Sequence, residues 1–467
     1  STGKLIALED ELQERIARLQ TLSSDLVLMR ARERTLEDWV MNRLNNRVTY
    51  RDLYHQVTKR KKIWPLRKTI TEFENELFRV LPVWLASPEA TSALFPLAPL
   101  FDVVIFDEAS QCFPEQALPA MYRGRQVVVA GDEQQLRPHH GYTIRWSDDE
   151  VEDEDQEVES FLDLALRHFP HTVLQGHYRS QSPQLIAFSN EHFYKNQLIM
   201  LPHARLPVAS AIHVRQVAGR WQENTNPVEA EAVVDLVREL HVAQPSKTVG
   251  VITFNAPQQD LIEELLQKQS SDVLPPSLIV KNIENVQGDE RDIIIFSVGY
   301  APDRTGKIAA QFGSLNVQGG ENRLNVAVTR AREAVWIVTS ILPEQLQVEA
   351  TRNRGPKLLK AYLEFALRGK GLSHTASEPS AHLLAARLAT QGRLRPAPYP
   401  FAALIKDHPA GEATLVLTDD TAYQQHPSSK SWHGYVPRLL QEKEWTRIAL
   451  YSRQFCFERR KVEAVLG

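Results

Sequence analysis

A chain of 467 residues, 43% hydrophobic and 24% charged, has room for roughly three domains at about 150 residues each and enough apolar content for sizeable cores. Its two cysteines, Cys112 and Cys456, lie far apart and form no metal pattern, which excludes a disulfide scaffold and a zinc ribbon and points to a reducing, cytoplasmic setting. No apolar run approaches ~20 residues and no signal peptide is read, so no membrane span is expected. The formal charge of −4 is set by one run, Asp148 to Glu159 (DDEVEDEDQEVE), whose nine acids read as a solvated loop; without them the rest stands at +5.

Residues 1–80 read as a helical arm. Leu5, Leu8, Leu12, Ile16 and Leu19 recur at helical spacing with charges between them, and no strand signal comes before Pro82. Lys59 to Lys62 (KRKK), followed by Trp64, reads either as a solvated helix face or as a cluster able to touch a phosphate backbone. In Pro82 to Ala90 (PVWLASPEA), Trp84 could stack a base but reads first as a core side chain.

Then the signals become chemical. Val103 to Phe106 predicts a fully buried parallel strand, and Asp107 and Glu108 stand at its carboxyl end, where open α/β sheets bind ligands. A carboxylate there can hold Mg2+ through water, and its neighbour can polarise an attacking water. A second strand, Gln126 to Ala130, ends in Gly131 and Asp132, a turn that can place a carboxylate and an amide near a γ-phosphate. From Thr172 onward, strands at 211–217, 248–253, 278–280, 292–298 and 334–339 alternate with helices at 228–240 and 257–267, which predicts a doubly wound parallel sheet. Asn255 is expected to cap a helix. Just before the last of these strands, Leu324 to Arg332 (LNVAVTRAR) sets Thr329, Arg330 and Arg332 side by side; a guanidinium fork suits a polyanion.

In order, DEAS with Gln111, GDEQQLRP, HYRS, VQGDERD and LNVAVTRAR resemble the motif set of superfamily 1 helicases, in the DEA-box branch that includes the nonsense-mediated-decay helicases. The resemblance runs from about Pro82 to Ser340. It implies an α/β fold of two RecA-like lobes, ATP and Mg2+ as cofactors, and single-stranded nucleic acid, DNA before RNA, as partner. It assigns Asp107 and Glu108 to Mg2+ and water activation, and Gln111 to sensing the γ-phosphate. Gly131, Asp132 and Gln135 would couple nucleotide state to strand grip. Tyr178 and Arg179 match the motif whose Arg reaches the γ-phosphate. Gln287, Gly288, Asp289 and Glu290 match the motif that meets the ribose and the strand backbone. Arg330 would be the arginine finger, Thr329 a strand-facing hydroxyl, Arg332 a supporting charge, and Ser87 a strand phosphate contact.

No G-x-x-x-x-G-K-[ST] occurs; Ser1 to Leu5 reads STGKL. The expectation is that the first lobe, 81–171, is incomplete, and that the P-loop lies on a preceding segment or a second polypeptide. The second lobe would span 172–345, with a linker and helix over 346–379. Residues 380–467 resemble very-short-patch-repair-like endonuclease domains. A helix at 381–390, strands at 414–418 and 446–451 and a helix at 435–442 frame Asp419, Asp420, His426 and Lys430. The usual first acid is apolar here (Phe401 to Leu404), and His382 and Leu383 stand where a Glu is common, which points to a degenerate nuclease. Two functions therefore compete: an ATP-driven helicase, and an ATPase-incompetent binding module carrying a nuclease-like domain.

Overall fold

The computed structural model describes residues 2–37, 40, 47–138, 159–201, 204, 210–269, 274–308, 312–317, 319–349, 351–368, 388, 394–397, 404–407, 413–419, 423, 428–460 and 462. The acidic run 148–158 lies outside them, as do His382, Leu383, Phe401, Asp420 and His426. The chain divides into two compact units: Ala7–Glu133 with Arg137–His171, and Ser1–Ile6 with Gln134–Leu136 and Thr172–Gly467. No helix among the described residues is long and apolar enough to cross a membrane.

The smaller unit opens with the helices α1 (Thr2–Glu37), α2 (Arg47–Thr58), α3 (Leu66–Glu72), α4 (Glu74–Val80) and α5 (Pro88–Leu94). Strand β1 (Phe101–Phe106), helix α6 (Pro114–Met121), strand β2 (Gly124–Val129) and helix α7 (Phe161–His168) follow. β1 and β2 pair in parallel, Phe101 opposite Gly124 and Phe106 opposite Val129. Trp84 is half-buried, packed edge-on against Phe95 at 5.3 Å and tilted against Phe78 at 5.7 Å. The expectation that Val103 to Phe106 is buried on both faces needs correction. Val103 is 43% and Ile105 68% exposed, because among the described residues β1 has a buried cluster on one face only, that of Val104 and Phe106.

The larger unit is built on a five-stranded, all-parallel sheet. Its chain order begins with β3 (Gly176–His177), α8 (Pro183–His192) and β4 (Ile199–Met200), where β3 and β4 form a separate two-residue pair. Then come β5 (Ile212–Gln216), α9 (Pro227–Ala243), β6 (Val249–Thr253), α10 (Ala256–Gln267), β7 (Ile279–Asn282), β8 (Arg291–Ser297), α11 (Gly320–Val328), β9 (Ala331–Thr339) and α12 (Arg354–Arg368). The strand order is β5-β9-β8-β6-β7. Alternate residues of one strand face opposite layers. On β8, Ile293 and Ile295 pack with α9 and α10, while Ile294 and Phe296 pack with α11 and α12. With both faces covered, the strands read as unbroken apolar runs, and this is the α/β RecA-like fold. Helix starts follow local chemistry. Ser182, Asn226 and Asn255 each accept a backbone N–H at a helix N-terminus, and a proline follows each of them at the first or second helical position.

A buried polar hub joins the strand ends. Glu229 is fully buried. One carboxylate oxygen accepts from Ser297 Oγ at 2.9 Å and Gly299 N–H at 2.6 Å; the other accepts from Asn226 Nδ2 at 3.2 Å and Ser340 Oγ at 3.3 Å. Burial raises its pKa from 4.5 to about 7, against the pull of those donors. The native state thus keeps the proton longer than the unfolded chain. Its stabilising contribution, on the order of 3 kcal/mol, is complete below about pH 4.5 and is lost as pH rises through about 7. Glu229→Gln is expected to flatten the stability profile over that window in urea unfolding. An unchanged slope in the variant would show that another group sets it.

The C-terminal part is a four-stranded sheet of β10 (Leu394–Pro396), β11 (Leu404–Asp407), β12 (Ala413–Thr418) and β13 (Thr446–Leu450), with α13 (Val436–Glu442) and α14 (Ser452–Phe457). The strands run in sequence order, antiparallel except for β12 and β13. Leu404, Val416 and Leu450 face one core, and Ile405, Leu415 and Leu417 the other.

Candidate active site

In the smaller unit, Asp107 and Glu108 follow the carboxyl end of β1. The backbone turns sharply there: Glu108 sits at φ 54°, ψ 40°, and its N–H donates to Asp107 Oδ1 at 3.0 Å. A non-glycine residue in the left-handed region costs on the order of 1 kcal/mol and clusters at functional turns. Ala109 N–H then donates to Ala130 O at 3.0 Å, which ties this turn to the end of β2. Gly131 follows, and a Cβ there would lie 3.2 Å from the amide nitrogens of both Ala109 and Ser110 and 3.0 Å from Leu162. The glycine therefore lets the two strand ends close together. Asp107, Glu108, Gln111 and Gly131 are all exposed, and Asp132 is half-buried. An exposed aspartate with only its neighbour's N–H recorded on one oxygen suits Mg2+, which keeps several waters and takes few carboxylates.

The larger unit gathers a second set. Glu290, just before β8, accepts from Arg179 Nε at 2.9 Å through one oxygen and from Arg332 through the other. Those two hydrogen bonds, Arg332 first, hold the Glu290 carboxyl below its ordinary range, and the same carboxylate raises Arg332. Arg332 also lies 3.7 Å from Asp292, and Arg179 reaches Thr329 O at 3.4 Å. The residue between, Arg330, is 2% exposed; its Nε donates to Val326 O at 2.8 Å, and Thr329 Oγ1 lies 3.5 Å from its guanidinium. The Thr329 hydroxyl turns back into α11, 2.9 Å from Asn325 O. Tyr178 is 79% exposed beside Arg179. The turn that carries both is braced by His177, whose Nε2 accepts from Ser180 N–H at 3.1 Å; burial, then the charges of Arg179 and Lys443, lowers His177 to about 4 and keeps that acceptor neutral.

Gln134–Leu136 also belongs to this unit. Gln134 O and Gln135 O accept from Asn325 and Asn322 Nδ2 at 2.8 and 2.9 Å, and Leu136 N–H donates to Gln287 Oε1 at 3.1 Å. Gly288 follows at φ 84°, which favours glycine. So Arg179, Glu290, Thr329, Arg330 and Arg332 form one cluster, and Gln135 and Gln287 form another. Ser87 lies in the smaller unit, where it caps α5 by accepting Ala90 N–H at 3.2 Å. Sequence reasoning did not find the bridging role of Glu290, nor the clamp by Asn322 and Asn325. The one signal for the clamp was the spacing of those amides, three apart on a single helix face.

Two comparisons bear on the assignment. Residues 157–341 and residues 10–140 each match a family described as an AAA domain. An uncharacterized ATP-dependent helicase of Mycoplasma pneumoniae is 38% identical over 325 residues, 64% of this chain and 29% of that protein, and its Mycoplasma genitalium counterpart gives the same values. The 5'-3' DNA helicase ZGRF1 of Mus musculus is 31% identical over 52% of this chain and 13% of its own. The chain thus spans well under a third of the length of the first two relatives. Over these residues the chain is thus similar to AAA domains and to proteins described as ATP-dependent helicases.

Proposed function

We propose that the chain is part of an ATP-dependent helicase or translocase that moves on single-stranded nucleic acid, DNA in preference to RNA, in the cytoplasm. Phosphoryl transfer asks a protein for a metal site, an oriented water and cations on the developing charge. Asp107 would hold the Mg2+ that shields the triphosphate, and Glu108 would orient water, with Gln111 and Asp132 beside them. Arg179 and Arg330 would supply the cations, with Tyr178, Gly288 and Arg332 around them, and Ser87, Gln287 and Thr329 would meet the strand. The observation that carries this reading is the Glu290 bridge, which draws arginines from segments 153 residues apart into one cluster.

The decisive test is ATP turnover by the full-length protein with single-stranded DNA, single-stranded RNA or neither. Stimulation by DNA above RNA is the expected result; no stimulation by either sinks the reading. The polypeptide 1–467 carries no G-x-x-x-x-G-K-[ST], and alone it is expected to hydrolyse ATP negligibly. Robust turnover by the purified chain would show that the phosphates are held another way.

We read the C-terminal sheet as a nuclease-like fold that binds DNA or a partner without cutting. Asp419 commits one oxygen to Ser452, whose N–H and Oγ donate at 2.8 and 2.7 Å, and Leu404, fully buried, begins β11. Mg2+-dependent nicking that Asp419→Ala abolishes would overturn this and restore a live nuclease.

A further inference from the structure

Six cations fall within ten residues that run from just after α2 into the first turn of α3: Lys59, Arg60, Lys61, Lys62, Arg67 and Lys68. No acid interrupts them before Glu72. All but Lys59, which is half-buried, are exposed. None of the six makes an ion pair with a carboxylate among the described residues; Lys59 Nζ reaches only the neutral Gln56 Oε1, at 2.7 Å. Elsewhere in the smaller unit Arg15, Arg51, Arg125 and Arg137 each have an acid within 4.0 Å. Arg179 and Arg332 are likewise matched, by Glu290. In a chain of net charge −4, this segment is therefore a local concentration of positive charge that no carboxylate among the described residues neutralises.

Its geometry is fixed rather than trailing. Lys62 turns the chain at φ 56°. Trp64 stacks on the buried Phe73, ring centroids 6.2 Å apart and planes 18° from parallel. Lys68 Nζ stands 4.2 Å and Lys59 Nζ 5.6 Å from the same ring centre. The indole thus holds cations from both ends of the loop around one anchor. Its faces serve Phe73 and those lysines, so it is not a platform for a base.

We propose that residues 59–68 form a sequence-independent binding site for the phosphodiester backbone of nucleic acid, separate from the motif residues. The proposal rests on the helicase reading and extends it: a basic loop on the arm holds the backbone while the motif residues act on the strand. Bringing phosphates to the loop releases condensed counterions, which gives the site a salt signature.

The test is fluorescence anisotropy of a labelled 30-nucleotide single strand and a labelled hairpin duplex, with the whole chain, no nucleotide, and salt varied. The fourfold variant K59Q/R60Q/K61Q/K62Q is expected to lower the slope of log affinity against log salt by about 3, since each lost contact removes about 0.7 to 0.9. Affinity at 100 mM salt should fall at least tenfold, to the same extent for mixed-sequence and oligo-dT strands. A control variant, R15Q/R238Q/K268Q/R368Q, removes the same charge from exposed positions already paired with acids, and should leave the slope unchanged. Equal slopes for wild type and loop variant overturn the proposal. So does an equal loss in the control, which would reduce the effect to net charge. Loop-dependent binding to phosphatidylserine vesicles with no loop-dependent binding to strands would overturn it in favour of a membrane. If the wild-type chain binds no strand at all, the helicase reading falls with it; if it binds and the loop variant binds alike, only this inference falls.

Discussion

Arg330→Ala in the full-length protein is expected to reduce strand-stimulated ATP turnover by about a thousandfold, roughly 4 kcal/mol of transition-state stabilisation, while ATP binding changes by no more than a few-fold. A guanidinium acting on the developing charge contributes to the transition state and little to the ground state. Arg330 Nε is held by Val326 O, which leaves the terminal guanidinium nitrogens as the donors for a phosphate. Because the side chain is buried, alanine also removes packing. Arg330→Lys separates the effects: it keeps charge and bulk but loses the planar fork, and it should remain folded yet fall by at least a hundredfold. Single-turnover hydrolysis beside equilibrium nucleotide binding makes the distinction. Turnover near wild type in a folded Arg330→Ala protein would remove Arg330 from the catalytic set.

Phe296→Ala is expected to destabilise the larger unit by about 3–5 kcal/mol. The ring is 1% exposed on β8, the strand flanked by β6 and β9, and packs at 6.1 Å from Phe254 and 6.3 Å from Tyr362. Few changes outside a core are this costly. Urea unfolding followed by near-ultraviolet circular dichroism measures it. A loss under 1 kcal/mol would mean that the α11–α12 face repacks around the gap and is looser than its burial implies.

The elements were legible where one local rule governs them. The strand read at 248–253 is β6 at Val249–Thr253, and the helix read at 257–267 is α10 at Ala256–Gln267. Asn255 caps that helix, as its residue type suggests. The reading of β1 failed for an instructive reason. An apolar run states what a strand can bury, not what covers it, so Val103 and Ile105 look the same in sequence whether or not another layer lies over them. In the C-terminal region the strands read at 414–418 and 446–451 are β12 and β13 and the helix read at 435–442 is α13, whereas β10 and β11 were not read and the helix read at 381–390 lies outside the described residues. The engagement of Asp419 by Ser452 depends on residues 33 apart and left no local trace.

By itself the sequence determined the alternation of strands and helices, the helix starts, and the order of the motif residues, because each follows from periodicity, capping or the adjacency of charged groups. Only the tertiary structure decided which charges meet. Arg179 and Arg332 face Glu290 from segments brought together by the parallel sheet, while the cations from Lys59 to Lys68 have no carboxylate partner among the described residues. Ion pairing falls off within a few ångströms in water and salt. A one-dimensional count of charges cannot tell a neutralised arginine from a cation that still lacks an anion.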